Sequence, residues 1–139
     1  MHRKRPYLRG MAVSLHHIVV DTYDLPGLAR FWCGVLDWRV LSEKPREVVI
    51  GPGEFAETGI CFMPVSEPKT VKNRLHFDLA PDDQEAEVER ILALGARRVD
   101  VGQGEAVGWV VLADPEGNEF CVLRPKASLI AFRDAPRLP

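Results

Sequence analysis

At 139 residues, with 46% hydrophobic and 27% charged side chains, the chain has the length for one domain with a sizeable core and the composition of a globular protein. Formal net charge is −2, yet Arg3, Lys4, Arg5 and Arg9 crowd residues 1–10 without an acid, so everything after them is net acidic and no folded nucleic-acid-binding surface is expected. No apolar run approaches the roughly 18 residues of a membrane span, and the N-terminus lacks the apolar stretch of a signal peptide, so the expected location is the cytoplasm without membrane attachment.

Residues 1–13 read as a basic extension, either a polyanion-binding arm or a leader ahead of Met11. Leu15 to Asp21 then alternates as a strand, with Leu15, His17 and Val19 on one face. Asp24 is placed to cap a helix carrying Leu28, Phe31, Trp32, Val35 and Leu36 at helical spacing, with Pro26 tolerated in its first turn. Strands follow at 38–41, 46–50 and 59–63, broken by the Gly51-Pro52-Gly53 turn and closed by Pro64.

A polar linker, Ser66 to Lys72, separates this from a second pass through the same order. Arg74 to Leu79 alternates as a strand, and Asp82 with Glu85 forms the pattern of a capping box before a helix bearing Val88, Ile91 and Leu92. Gly95 stands where that helix should end. Further strands are expected at 97–101, 109–113 and 119–124. The turn between the last two, ADPEGNEF over 113–120, is the most specific stretch in the chain. Pro115 presets a type I turn, Gly117 supplies a positive φ, and Asp114 or Asn118 can bond the turn's own amides. Glu119, Cys121 and Leu123 then share one strand face. The last residues, 126–139, form a tail that either folds back through Leu129, Ile130 and Phe132 or frays, fraying being the default.

The repeat is the main structural inference: His17 precedes Asp24 by seven residues, and His76 precedes Asp83 by seven. The fold class is therefore α+β, two βαβββ modules over 14–65 and 73–125 that form a U-shaped mixed sheet around a cleft. Three cysteines, Cys33, Cys61 and Cys121, have no disulfide-framework spacing and read as reduced thiols. Walker A, G-x-G-x-x-G, H-E-x-x-H and G-x-S-x-G motifs are absent, which leaves nucleotide and serine hydrolysis unsupported.

LHHIVVDTYDLPGLARFWCGVLDW, NRLHFDL and ADPEGNEFCVL together resemble the vicinal oxygen chelate superfamily of glyoxalases, bleomycin resistance proteins and extradiol dioxygenases, within its glyoxalase-like group. The resemblance implies a divalent metal, Zn, Ni, Mn or Fe, held by residues from the first and fourth strands of each module. Carried over, His17 and His76 are its ligands. The fourth-strand place falls near Cys61 or Met63, and the last-strand place, commonly Glu, falls on Cys121. Two histidines with Cys61 and Cys121 would compose a soft zinc site. His17, His76 and Asp78 are the candidate catalytic groups, and Met63, Trp109 and Cys121 the candidate ligand-binding ones. Structural readings stand beside these: interior histidines, a buried inert thiol, and Asp78 as a partner for Arg74.

Three functions follow: a glyoxalase-like small-molecule-binding protein with metal-assisted lyase or isomerase chemistry; a metal-free protein that sequesters its ligand, as bleomycin resistance proteins do; and, third, an extradiol-type dioxygenase with Asp78 or Glu119 as its carboxylate. The expected partner is a small molecule, and the resemblance adds the expectation of a homodimer.

Overall fold

A computed structural model describes residues 12–100 and 108–133. The basic run at the start and the end of the expected 97–101 strand lie outside them. In order, the elements are β1 (His17–Thr22), α1 (Leu25–Leu36), β2 (Arg39–Lys44), β3 (Glu47–Gly51), β4 (Gly59–Pro64), β5 (Phe77–Leu79), α2 (Gln84–Leu94), β6 (Arg97–Arg98), β7 (Val110–Ala113), β8 (Glu119–Val122) and α3 (Lys126–Arg133).

The two modules repeat each other strand for strand. Each makes a four-stranded mixed sheet, ordered β1-β4-β3-β2 in the first and β5-β8-β7-β6 in the second. β1 pairs with β4 in parallel, as β5 does with β8, and the remaining pairs are antiparallel. The equal offsets read from the sequence have a backbone cause. Asp24 caps α1 by accepting from Gly27 N–H, and Asp83 caps α2 by accepting from Ala86 N–H. A Cβ at Gly27 would meet the Asp24 carboxylate at 2.2 Å and make that side chain shift.

The cap of α2 is thus Asp83, not Asp82. With adjacent aspartates, the capping-box pattern picks the wrong one; Asp82 faces Lys126 instead, at 3.3 Å. Two strands are also shorter than alternation suggests. β5 starts at Phe77, so Arg74, Leu75 and His76 precede it, and β6 is confined to Arg97–Arg98. The chain after β8 does not fray at once. Leu123 N–H bonds Leu79 O, Lys126 N–H bonds Pro81 O, and helix α3 follows.

One hydrophobic core joins the modules. From the first it takes Leu28, Phe31, Trp32, Val35, Ile50, Ile60 and Phe62, and from the second Val88, Ile91, Leu112, Phe120 and Val122. Strand alternation puts Ile60 and Phe62 on the core face of β4 and sends Cys61 and Met63 to the other. Trp32 is the bridge. Its ring meets Phe31, Phe77 and Phe120 edge-on at centroid distances of 5.3, 5.3 and 4.9 Å.

Candidate functional site

The β7–β8 turn ties the modules together. Asp114 is buried and its carboxylate accepts from the N–H groups of Glu116 and Asn118, the Asn118 amide, and Trp32 Nε1 at 3.0 Å. Burial pushes its carboxyl above the ordinary range, and those hydrogen bonds partly offset the push. Gly117 has φ +90°, the left-handed conformation expected of the turn. Glu116, carried at its tip, reaches the first module, where its carboxylate accepts from Thr22 Oγ1, from Tyr23 N–H at 2.7 Å and from Asp24 N–H at 3.0 Å. The motif therefore clasps the start of α1.

Beside this clasp, between β1 and the 65–77 segment, lies a cavity of about 510 Å³. Val19, Trp32, Val65, Leu75 and Phe77 supply apolar wall; Asp21, Glu67, Arg74 and His76 bring polar and charged groups to it. The linker's position is set by Glu119, whose carboxylate accepts from Lys69 Nζ at 2.8 Å and from Asn73 N–H at 3.1 Å. Asn73 also donates to Asn118 at 2.7 Å.

For the Glu119 carboxyl, burial is the largest single influence and raises the pKa, but Lys69 and the Asn73 and Glu119 amides together bring it below the ordinary value. A lowered folded pKa means the tether contributes stability above the unfolded carboxylate value of about 4.3 and loses it as pH falls through the folded value. Amide-exchange protection at Asn73, corrected for intrinsic rate, should accordingly fall as pH drops below about 4. In Glu119→Ala it should be low at every pH; equal protection in both proteins would show that the tether does not hold the linker.

On the face of the second sheet turned from the core, the β5–β8 register sets Asp78 beside Cys121. His76 Nε2 lies 3.3 Å from Asp78 Oδ1. Burial first, and then the Asp78 charge and its hydrogen bond, push the Cys121 thiol above its usual value against a smaller opposing pull from Lys72. Burial likewise raises Cys33 and, helped by Glu47, Cys61. All three shifts run opposite to the lowering that activates a nucleophilic thiol.

A family model described as a glyoxalase-like domain matches residues 17–123. The chain belongs to the glyoxalase-like domain family. Among solved structures the glyoxalase-like fold recurs in the trypanothione-dependent glyoxalase I of Leishmania major, at TM-score 0.65 and 15% identity over 88% of this chain and 94% of that one. The fosfomycin resistance protein FosX of Mesorhizobium loti gives TM-score 0.63 and 20% identity over 88% and 100%. An antibiotic binding protein from Streptomyces sp. CB03234 gives 0.56 and 21% over 83% and 98%. Comparison with curated proteins gives no sequence match.

Within this glyoxalase-like chain the residues singled out from sequence are dispersed. His76 lines the cleft; His17, Asp78, Met63, Trp109 and Cys121 are not among its lining residues. His76, Asp78 and Cys121 come together, and His17 does not join them. The His17 ring instead lies against His16, at a centroid distance of 3.9 Å. Met63 stands on β4 opposite Asp21, 39% exposed, and Trp109 precedes β7, 42% exposed. Sequence reading missed the linker as a cleft wall and Glu116 as a clasp. Neither carries a local signal, because both depend on partners far away in sequence.

Proposed function

We propose that this protein binds a small molecule in the cleft between β1 and the 65–77 segment. The cavity carries the reading: its volume lies in the roughly 300–1,000 Å³ range of ligand sites, and apolar walls with a few convergent polar groups are their usual make-up. A ligand with an apolar body and one polar group fits best, since Arg74 and His76 adjoin Leu75 and Phe77 and the acids Asp21 and Glu67 line the same cavity. That an antibiotic binding protein shares the fold supports a sequestering role. A cytoplasmic setting, consistent with three free thiols, and a homodimer complete the reading.

Val19 projects from β1 into the cleft and is 53% exposed, so it can be enlarged without disturbing the core. Anilinonaphthalene sulfonate, an apolar anion that fluoresces when desolvated, serves as the probe, with fosfomycin and bleomycin as competitors. Val19→Trp should weaken probe binding at least tenfold, about 1.4 kcal/mol, with the melting temperature nearly unchanged. Undiminished binding in that variant would place the probe elsewhere and count against the cleft.

The second reading is metal-assisted lyase or isomerase chemistry, favoured by His76 at the cleft wall. A divalent ion held through His76 would polarise a bound oxygen and stabilise an enolate; the carried-over His17 does not join His76 in the structure. Turnover that requires added metal and disappears in His76→Ala would support it. Extradiol chemistry is weaker, because Glu119 is already engaged by Lys69 and Asn73.

A further inference from the structure

The superfamily resemblance places a carboxylate on the last strand, and this chain has Cys121 there. A hard octahedral ion such as Mg²⁺ or Mn²⁺ prefers oxygen donors, so the carried-over set does not fit one. A carboxylate stands one strand over, at Asp78, which the parallel register holds directly opposite Cys121. His76, two residues ahead, completes a group in which one nitrogen, one oxygen and one sulfur lie within 4.8 Å of one another. Among the described residues no other group of three such donors comes together.

The first module supplies an internal comparison. By register Cys61 is the counterpart of Cys121, but Val19 faces it from β1 where Asp78 faces Cys121 from β5. A buried thiol is thus common to both halves, and only the second surrounds it with a carboxylate and an imidazole. A tetrahedral zinc ion bonds sulfur at about 2.3 Å and nitrogen or oxygen at about 2.0–2.2 Å, which spaces its ligands by roughly 3.3–3.8 Å. Small side-chain rotations close a 4.8 Å group to that spacing. The His76 and Asp78 side chains are 45% and 54% exposed, so a fourth position would face solvent.

We infer that His76, Asp78 and Cys121 form a three-ligand site for zinc on the open face of the β5–β8 pair, with the fourth position free for an oxygen donor. The donor set is nitrogen, oxygen and sulfur, and it draws on one module only. The site does not rest on the cleft reading, and its test needs no organic ligand.

The test uses the full chain, purified without a metal-affinity step and stripped with a chelator. Zn²⁺ is titrated in competition with a chromogenic chelator, and Co²⁺ is followed by absorption. One equivalent per chain is expected, with thiolate-to-cobalt charge transfer in the near ultraviolet. Cys121→Ser should abolish that band and weaken zinc by more than about a hundredfold, beyond the ~10–100-fold that losing an outer-shell partner costs. His76→Gln and Asp78→Asn, at exposed positions where the fold is safe, should weaken zinc as strongly; if Cys121→Ser fails to fold, these two decide. His17→Ala and Cys61→Ser should leave band and affinity unchanged. No zinc uptake, a charge-transfer band that survives Cys121→Ser in folded protein, or equal loss in His17→Ala and His76→Gln would overturn the assignment.

Discussion

Replacing Asp114 with alanine is expected to lower the unfolding free energy by about 3–5 kcal/mol, close to the most a single substitution costs in a domain of this size. The carboxylate is 1% exposed and accepts bonds from Trp32 Nε1, the Glu116 and Asn118 amides and the Asn118 side chain. Alanine leaves the buried Trp32 Nε1 without its acceptor, at about 1–3 kcal/mol for an unsatisfied buried donor, and the half-buried Glu116 and Asn118 amides lose theirs as well. The turn that positions Glu116 would relax as well, releasing the N–H groups of Tyr23 and Asp24. Asp114→Asn keeps one acceptor oxygen and should cost clearly less. Urea unfolding with an unchanged denaturant slope measures both; a loss under about 1 kcal/mol for alanine would remove Asp114 from its role as anchor.

Trp32→Ala should cost a similar amount, about 3–5 kcal/mol, by a different route. The indole is 2% exposed and fills the space between α1 and the rings of Phe77 and Phe120 in the second module. Removing it opens a cavity between the two halves and deprives Asp114 of a donor. Because the two residues share a hydrogen bond, the double variant should be less destabilised than the sum, by about 0.5–3 kcal/mol in a double-mutant cycle. Additive losses would mean the indole acts by packing alone. Trp32→Phe separates the terms further, keeping most of the ring contact while removing the N–H. As Trp32 also lines the cleft, both variants should weaken probe binding, alanine more than phenylalanine.

Much of the architecture was readable because it is local. The offset of seven residues from histidine to aspartate marks the same strand-to-cap step in both modules, and the side chains of Asp24 and Asp83 carry it out. The 113–120 turn behaves as Pro115 and Gly117 require. What escaped depends on contacts far apart in sequence. Glu116 reaches Thr22, Tyr23 and Asp24 over more than ninety positions, and nothing in DPEGN distinguishes a solvated acid from a clasp. The linker read as spacer because it is polar; its place as a cavity wall comes from the Lys69 and Asn73 bonds to Glu119. The resemblance led to His17 and His76 as a pair, whereas the register of a three-residue strand puts Asp78 and Cys121 around His76.

Amide chemical-shift mapping tests directly whether a ligand is held between the modules. The protein would be titrated with fosfomycin, bleomycin and a library of small aromatic acids. Binding at the cleft predicts that the largest shifts fall together on residues 18–21 of β1 and on 65–77 of the linker, and that Val19→Trp suppresses them. Shifts confined to other surfaces, or to neither segment at saturating ligand, would contradict it.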